Sequence, residues 1–117
     1  MAISALYESS ETISTTEYSL PNDANYAAGS VKTDDGIFQC WIDLSAMVAG
    51  DVYTFRAYEK VQSAGTVRRF MALTLDGVQV DPHFVTPSFI FMHGWDFTLQ
   101  RTAGTDRSIA WSIRQVA

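Results

Sequence analysis

Phe89-Ile90-Phe91-Met92-His93-Gly94-Trp95-Asp96-Phe97-Thr98-Leu99-Gln100-Arg101-Thr102-Ala103-Gly104-Thr105-Asp106-Arg107-Ser108-Ile109-Ala110-Trp111-Ser112-Ile113-Arg114-Gln115 decides how the whole chain is read. Apolar residues recur at alternate positions in both halves of the stretch. Phe89, Phe91, Trp95, Phe97 and Leu99 fall on one face, and Asp96, Thr98 and Gln100 oppose them. Further on, Arg107, Ile109, Trp111, Ile113 and Gln115 share a face against Ser108, Ala110, Ser112 and Arg114. A two-residue period marks a strand with one buried and one wet face, as in an antiparallel sheet covered on one side. The loop Thr102-Ala103-Gly104-Thr105 predicts a hairpin between the two strands, with Gly104 suited to left-handed backbone.

The same alternation extends upstream. Val67, Met71, Leu73 and Leu75 alternate with Arg68, Phe70, Ala72 and Thr74; both faces carry apolar weight, which predicts a central strand over 66–75. Before it, residues 51–62 carry Val52, Tyr53, Phe55, Ala57, Tyr58 and Val61, and Ser63-Ala64-Gly65 closes a hairpin. Asp76-Gly77 reads as a tight turn into Val78-Gln79-Val80. Turn signals recur at Asp35-Gly36, Gly50-Asp51, Asp81-Pro82 and Thr86-Pro87. Short strands at such spacing predict an all-β fold: an antiparallel β-sandwich, jelly-roll-like. At most one short helical turn is expected, near 45–49, where Asp43 or Ser45 could cap it.

Residues 36–117 therefore form the β-sandwich body of one domain. Residues 1–35 are patterned more loosely. A β-prone run from Thr12 to Leu20 ends at Pro21-Asn22-Asp23, and Ala24 to Asp35 reads as a long connection. This first third is either an N-terminal arm that orders on a neighbour or a set of edge strands of the domain.

The chain has 117 residues, 47% of them hydrophobic and 13% aromatic, enough for one domain with its own core. Cys40 is the only cysteine, so no disulfide can form within the chain, which suits a reducing cytoplasm. No secretory leader and no membrane-spanning run is expected, so no membrane partner is either. The net charge is −5, and residues 1–35 hold six acids against the single base Lys32. Nucleic acid is disfavoured as a partner, because phosphate binding needs a basic surface. The acidic stretch is a solvated face or a contact for a basic partner surface.

No residue cluster has the spacing of a catalytic or metal centre. His83 and His93 form no HxH or HExxH pattern, and His93 and Asp96 fall on opposite faces of a strand. Asp34-Asp35-Gly36 could hold a hard cation, but no ligand series follows, and an ordinary turn is the plainer reading. Cys40 shares a face with Phe38, Ile42 and Leu44 and is expected in the core. Trp95 and Trp111 are core candidates. Trp41 shares its face with Gln39 and Asp43, so it either points outward, as a sugar platform or protein contact would, or joins a second apolar layer. Not an enzyme, and without a cofactor, is the expectation. Ile3, Leu6, Tyr7, Trp41, Arg68 and Arg69 are the candidate protein-interface residues; the basic pair could meet the acidic first third within or between chains.

Several stretches carry a resemblance. They are Asp34-Asp35-Gly36-Ile37-Phe38-Gln39, Asp43-Leu44-Ser45-Ala46-Met47-Val48-Ala49-Gly50-Asp51, Tyr58-Glu59-Lys60-Val61, Val85-Thr86-Pro87-Ser88 and, most of all, His93 to Leu99 with Ala103 to Arg114. Over 34–114 these resemble small virion structural proteins of tailed bacteriophages, of the head decoration, or cement, type. The resemblance implies a protein made in the host cytoplasm that binds the outer surface of the assembled capsid. Its partner would be the major capsid protein. It would also form a homo-oligomer, a trimer being favoured over a dimer. A tail, neck or fibre adaptor of the virion, or a carbohydrate-binding module for host attachment, are the alternatives. No catalytic residues are carried over.

Overall fold

A computed structural model describes residues 2–116. Among the described residues there are ten strands: β1 (Ile3–Ile13), β2 (Tyr18–Ser19), β3 (Ala24–Asn25), β4 (Gly36–Asp43), β5 (Val52–Glu59), β6 (Arg68–Asp76), β7 (His83–Val85), β8 (Phe89–Phe91), β9 (Trp95–Ala103) and β10 (Arg107–Val116). They form two antiparallel sheets packed as a β-sandwich. Sheet I has the order β1-β10-β4-β7, with β8 also pairing to β4, and sheet II the order β3-β2-β9-β5-β6.

The pairings are nested. β1 pairs with β10, β2 with β9, β4 with β7, and β5 with β6. The chain is thus one long antiparallel ribbon closed by the β5–β6 hairpin, and successive rungs alternate between the sheets. Alternation of side chains then fills the core from both sides. β4 and β10 turn Phe38, Cys40, Ile42, Ile109, Trp111 and Ile113 inward, and β5 and β9 answer with Tyr53, Phe55, Ala57, Trp95, Phe97 and Leu99; all are buried. Aromatic rings dominate one end, where Phe91 stacks on Trp95 at 4.9 Å between centroids and Phe38 lies 4.6 Å from the same indole.

Periodicity marks the right faces, but the single strand expected from Phe89 to Leu99 is split into β8 on sheet I and β9 on sheet II, and the hairpin expected over 88–116 is absent. β9 belongs to sheet II and β10 to sheet I. Their apolar faces look at each other across the core instead of lying side by side. Gly104 makes this crossover possible: its φ is +87°, and a Cβ there would collide with Asp51 Oδ1 and the backbone of Gly50 and Asp51. Asp51 in turn accepts hydrogen bonds from the Thr105 and Val48 backbone N–H groups and from Arg107 Nε.

Other boundaries also shift. β6 is an edge strand rather than a central one. A bulge opposite Ala57 and Tyr58 turns Phe70 towards Phe89 at 5.3 Å while Met71 also packs on the core, which accounts for apolar residues at both parities. Asp76-Gly77 does turn, with Gly77 at φ +68°, but Val78 to Val80 pair with nothing and the two valines stand exposed. Thr12 to Leu20 is broken at Ser14, where the chain leaves sheet I for sheet II. Around 45–49 there is a turn without a helix, started by Asp43 Oδ1 accepting the Ser45 N–H at 2.9 Å. Residues 3–13 form an edge strand of the body.

Candidate functional site

The outer faces of the two sheets differ in kind. On sheet II, register brings Asp96 beside Tyr58, and Thr98 beside Arg56 and Ser19. The segment 17–32 lies over this face. Glu17 accepts hydrogen bonds from the Tyr58 and Thr98 hydroxyls, both at 2.6 Å, and lies 3.8 Å from Arg56. Tyr26 stacks on Tyr58 at 4.7 Å, and Lys32 pairs by backbone with Trp95. Asp96 is sealed underneath with no exposed surface. Its Oδ1 accepts the Ser19 hydroxyl at 2.7 Å, while Oδ2 has no partner. Burial, with the Glu17 charge nearby, pushes its carboxyl up to about 7. The cluster's three hydroxyls, from Ser19, Tyr58 and Thr98, all donate to the carboxyl groups of Asp96 and Glu17. The cluster binds the first third of the chain to the sheet.

Sheet I leaves its outer face open. Register sets Ile3 beside Val116, Val116 beside Ile37, and Ile37 beside Ile90. Residues directly opposite one another point to the same side of a sheet. Because Phe38 and Ile113 point into the core, this row points outward. It crosses β1, β10, β4 and β8 as an unbroken aliphatic line, with Ile3 71%, Ile37 42% and Ile90 82% exposed. Farther along the same face, Arg114 lies over Trp41 at 4.0 Å, and the Trp41 Nε1–H donates to Gln39 Oε1. A shallow depression runs from Trp41 to Asp43, His83 and Ser112. His83 stands 3.9 Å from Asp43.

A third feature lies where the sandwich opens between β6 and β8. Val61, Phe70, Phe89, Ile90 and Phe91, with Glu59 and Lys60, line a mostly apolar hollow there, next to the exposed Met92.

The expected interface residues are dispersed by this geometry. Ile3 and Trp41 share the outer face of sheet I, but β10 and four register positions separate them. Leu6 sits at a bulge in β1, and Tyr7 turns inward, its ring 6.2 Å from Trp95 and its hydroxyl donating to Asp34. Arg68 and Arg69 stand on the β6 edge beside Glu59 and Tyr58; the arginine that reaches the acidic first third is Arg56. Cys40, Trp95 and Trp111 are buried, and burial pushes the Cys40 thiol well above its ordinary range. Asp34 and Asp35 precede Gly36, whose φ is +137°. Among the described residues no three His, Cys, Asp or Glu side chains gather as a metal site.

Val116, Ile37 and Ile90 escaped the sequence reading, although the parity that put Trp41 with Gln39 and Asp43 extends to Ile37. Glu17 and Asp96 escaped it because the face they occupy is polar, and only tertiary structure covers it.

Comparison with known proteins adds no relative. No family model, no curated protein and no solved structure matches the chain.

Proposed function

We propose that the chain is a virion structural protein, a head decoration (cement) protein that binds the outside of an assembled phage capsid and stabilises the shell. The observation that supports this most is the kind of surface on offer. Val61, Phe70, Ile90 and Met92 are exposed large apolar side chains around the hollow between β6 and β8 of a closely packed sandwich. Contiguous apolar surface of this sort marks a contact with another macromolecule. The sequence resemblance over 34–114 supplies the identity of that macromolecule. The nested pairing 1/10, 2/9, 4/7 and 5/6 is the pattern of a jelly roll, which we assign to this chain; the fold by itself hosts many functions.

Repetition makes modest contacts sufficient. A shell offers many equivalent sites, and avidity multiplies weak single-site binding. The purified chain should bind capsids that lack it and raise their resistance to heat. Paired Val61→Glu and Met92→Glu substitutions, at residues 92% and 64% exposed, should weaken binding about tenfold or more without altering folding. Failure of the unaltered chain to bind such shells would remove the proposal, and label confined to one vertex or the tail would favour the adaptor alternative. The carbohydrate alternative draws on Trp41, yet the ring face that a sugar would stack on is covered by Arg114.

A further inference from the structure

We infer that the outer edge of β6 takes an extended acidic peptide of the partner as an added strand, with one apolar side chain of that peptide anchored in the hollow between β6 and β8. The inference deepens the capsid-binding reading and rests on it for the source of the peptide, the shell protein; the edge itself supplies the chemistry.

The basic side chains point to the charge of the partner. Of eight, Arg56, Arg101 and Arg107 hold ion pairs within the chain, and Lys32 and Arg114 lie over the Tyr7 and Trp41 rings. The other three, Lys60, Arg68 and Arg69, gather at one end of β6, and among the described residues no carboxylate forms an ion pair with them. Their acidic neighbour Glu59 is engaged by backbone. Its Oε1 accepts the Lys60 and Gly94 N–H groups at 3.1 and 2.9 Å, and its Oε2 accepts the Met92 N–H at 3.0 Å. A chain of net charge −5 thus keeps a positive end beside its apolar hollow. A second depression, bounded by Gln62, Thr66 and Arg68, continues from the hollow and shares Glu59 and Val61 with it. Nucleic acid needs a broader basic surface than three side chains give, and it has no use for an aromatic-lined hollow beside them.

Backbone and packing point to an extended partner. β6 pairs with β5 alone, so a row of its N–H and C=O groups faces away from the sheet. Between Arg69 and Asp76 this edge carries no charge, whereas the β1 edge of sheet I carries Glu8 and Glu11. β6 also turns apolar side chains towards the core that stay partly uncovered. Leu73 stands opposite the buried Phe55 and so points inward, yet it is 39% exposed; Phe70, against Phe89, is 48% exposed. A strand added to β6 covers both and sets alternate side chains over the hollow. Past an anchor in the hollow, the next position faces the outer side, where Arg69 lies opposite Tyr58. The one after returns to the side of Arg68 and Glu59. The peptide that fits is an apolar anchor flanked on one side by acids at two successive positions.

Two pools of extended peptides test this by retention on the immobilised chain. Both alternate Thr and Val around one central Phe or Leu; the positions beside it are Asp or Glu in one pool and Lys in the other. The acidic pool should be retained at least about tenfold better than the basic one. Arg68→Glu combined with Arg69→Glu, at exposed positions that leave the fold intact, should reverse that preference. Val61→Glu should weaken retention of the acidic pool. N-methylation of alternate peptide bonds should abolish retention in one register and spare it in the other, as pairing along a single edge requires. Equal retention of the two pools, a preference that survives the double arginine reversal, or indifference to N-methylation in both registers overturns the inference. So does a dimer that forms through β6 and excludes the peptides. Capsids that bind the chain while it ignores both pools would leave the function standing and remove this inference; peptide selectivity without capsid binding would do the reverse.

Discussion

Asp96 shows how a single residue can set the pH response of a fold. By parity it is one of three polar residues on the wet face of β9. In the folded chain the 17–32 segment covers it, and its Oδ2 faces no donor. The carboxyl is pushed from 3.8 up to about 7, chiefly by burial. A raised carboxyl means that the unfolded chain releases its proton first. Folding is therefore unpenalised below about pH 4, and stability falls as pH rises through the window from 3.8 to about 7. At about 1.4 kcal/mol per unit the cost approaches 4 kcal/mol above that window, as an order of magnitude. Asp96→Asn keeps an oxygen for the Ser19 hydroxyl and carries no charge. It should be less stable than the native chain at pH 4, more stable by a few kcal/mol at pH 8, and flat in between. Urea unfolding at the two pH values checks this; curves that never cross would show that Asp96 is not the group that titrates.

At the scale of elements, periodicity identified faces well and partners poorly. The alternation of Trp95, Phe97 and Leu99, and of Ile109, Trp111 and Ile113, specifies which side is buried. It says nothing about whether the two strands lie side by side or face to face, because both arrangements bury the same residues. What separates them is the crossover, and its signals are long-range: Asp51 bonded to Thr105 and Arg107, and the Tyr53 hydroxyl donating to the Thr105 carbonyl while accepting the Arg107 N–H. Likewise β6 looked central only because a bulge breaks its parity. The crossover yields a sharp test. Gly104→Ala meets both an unfavourable φ and the Asp51 carboxylate, so it should cost about 2 kcal/mol or more, seen as a lower midpoint in thermal unfolding. Gly29→Ala, with nothing within 4 Å of the added carbon, is the matched control and should stay within about 0.5 kcal/mol. Asp51 also contributes on the acid side. The Arg107 guanidinium and two backbone N–H groups hold its carboxyl down at about 2, so the crossover is held above pH 3.8 and released as pH falls towards 2.

For the whole molecule, nesting makes the first strand indispensable to the last. Residues 1–35 admitted two readings in the sequence, arm or edge, because their apolar positions are sparse and none is diagnostic. The structure places Ile3 to Ile13 against nearly the full length of β10, buries Ile13 completely, and lays Tyr7 on the edge of Trp95. Segment 17–32 then seals Asp96, and the Leu20 carbonyl takes the Trp111 indole N–H at 3.0 Å. An arm could be cut away without harm to the body; an outer rung of the ribbon cannot. Deleting residues 1–13 would leave β10 with one free edge, Trp95 with less cover, and the core without Ile13. The truncated chain should lose cooperative thermal unfolding and the near-ultraviolet dichroism of its buried tryptophans while retaining much of its strand signal, as a loosened sandwich does. An unchanged melting temperature after that deletion would mean that the ribbon closes without its first strand and that residues 1–13 are an appendage. A circular permutant separates lost contacts from mere shortening. Ile3 and Val116 are cross-strand neighbours, so a short linker can join the chain ends and new ends can be opened at Gln62-Ser63, in the exposed β5–β6 loop. That permuted chain keeps every rung and should unfold cooperatively near the native temperature, although the ribbon's closing hairpin has been cut.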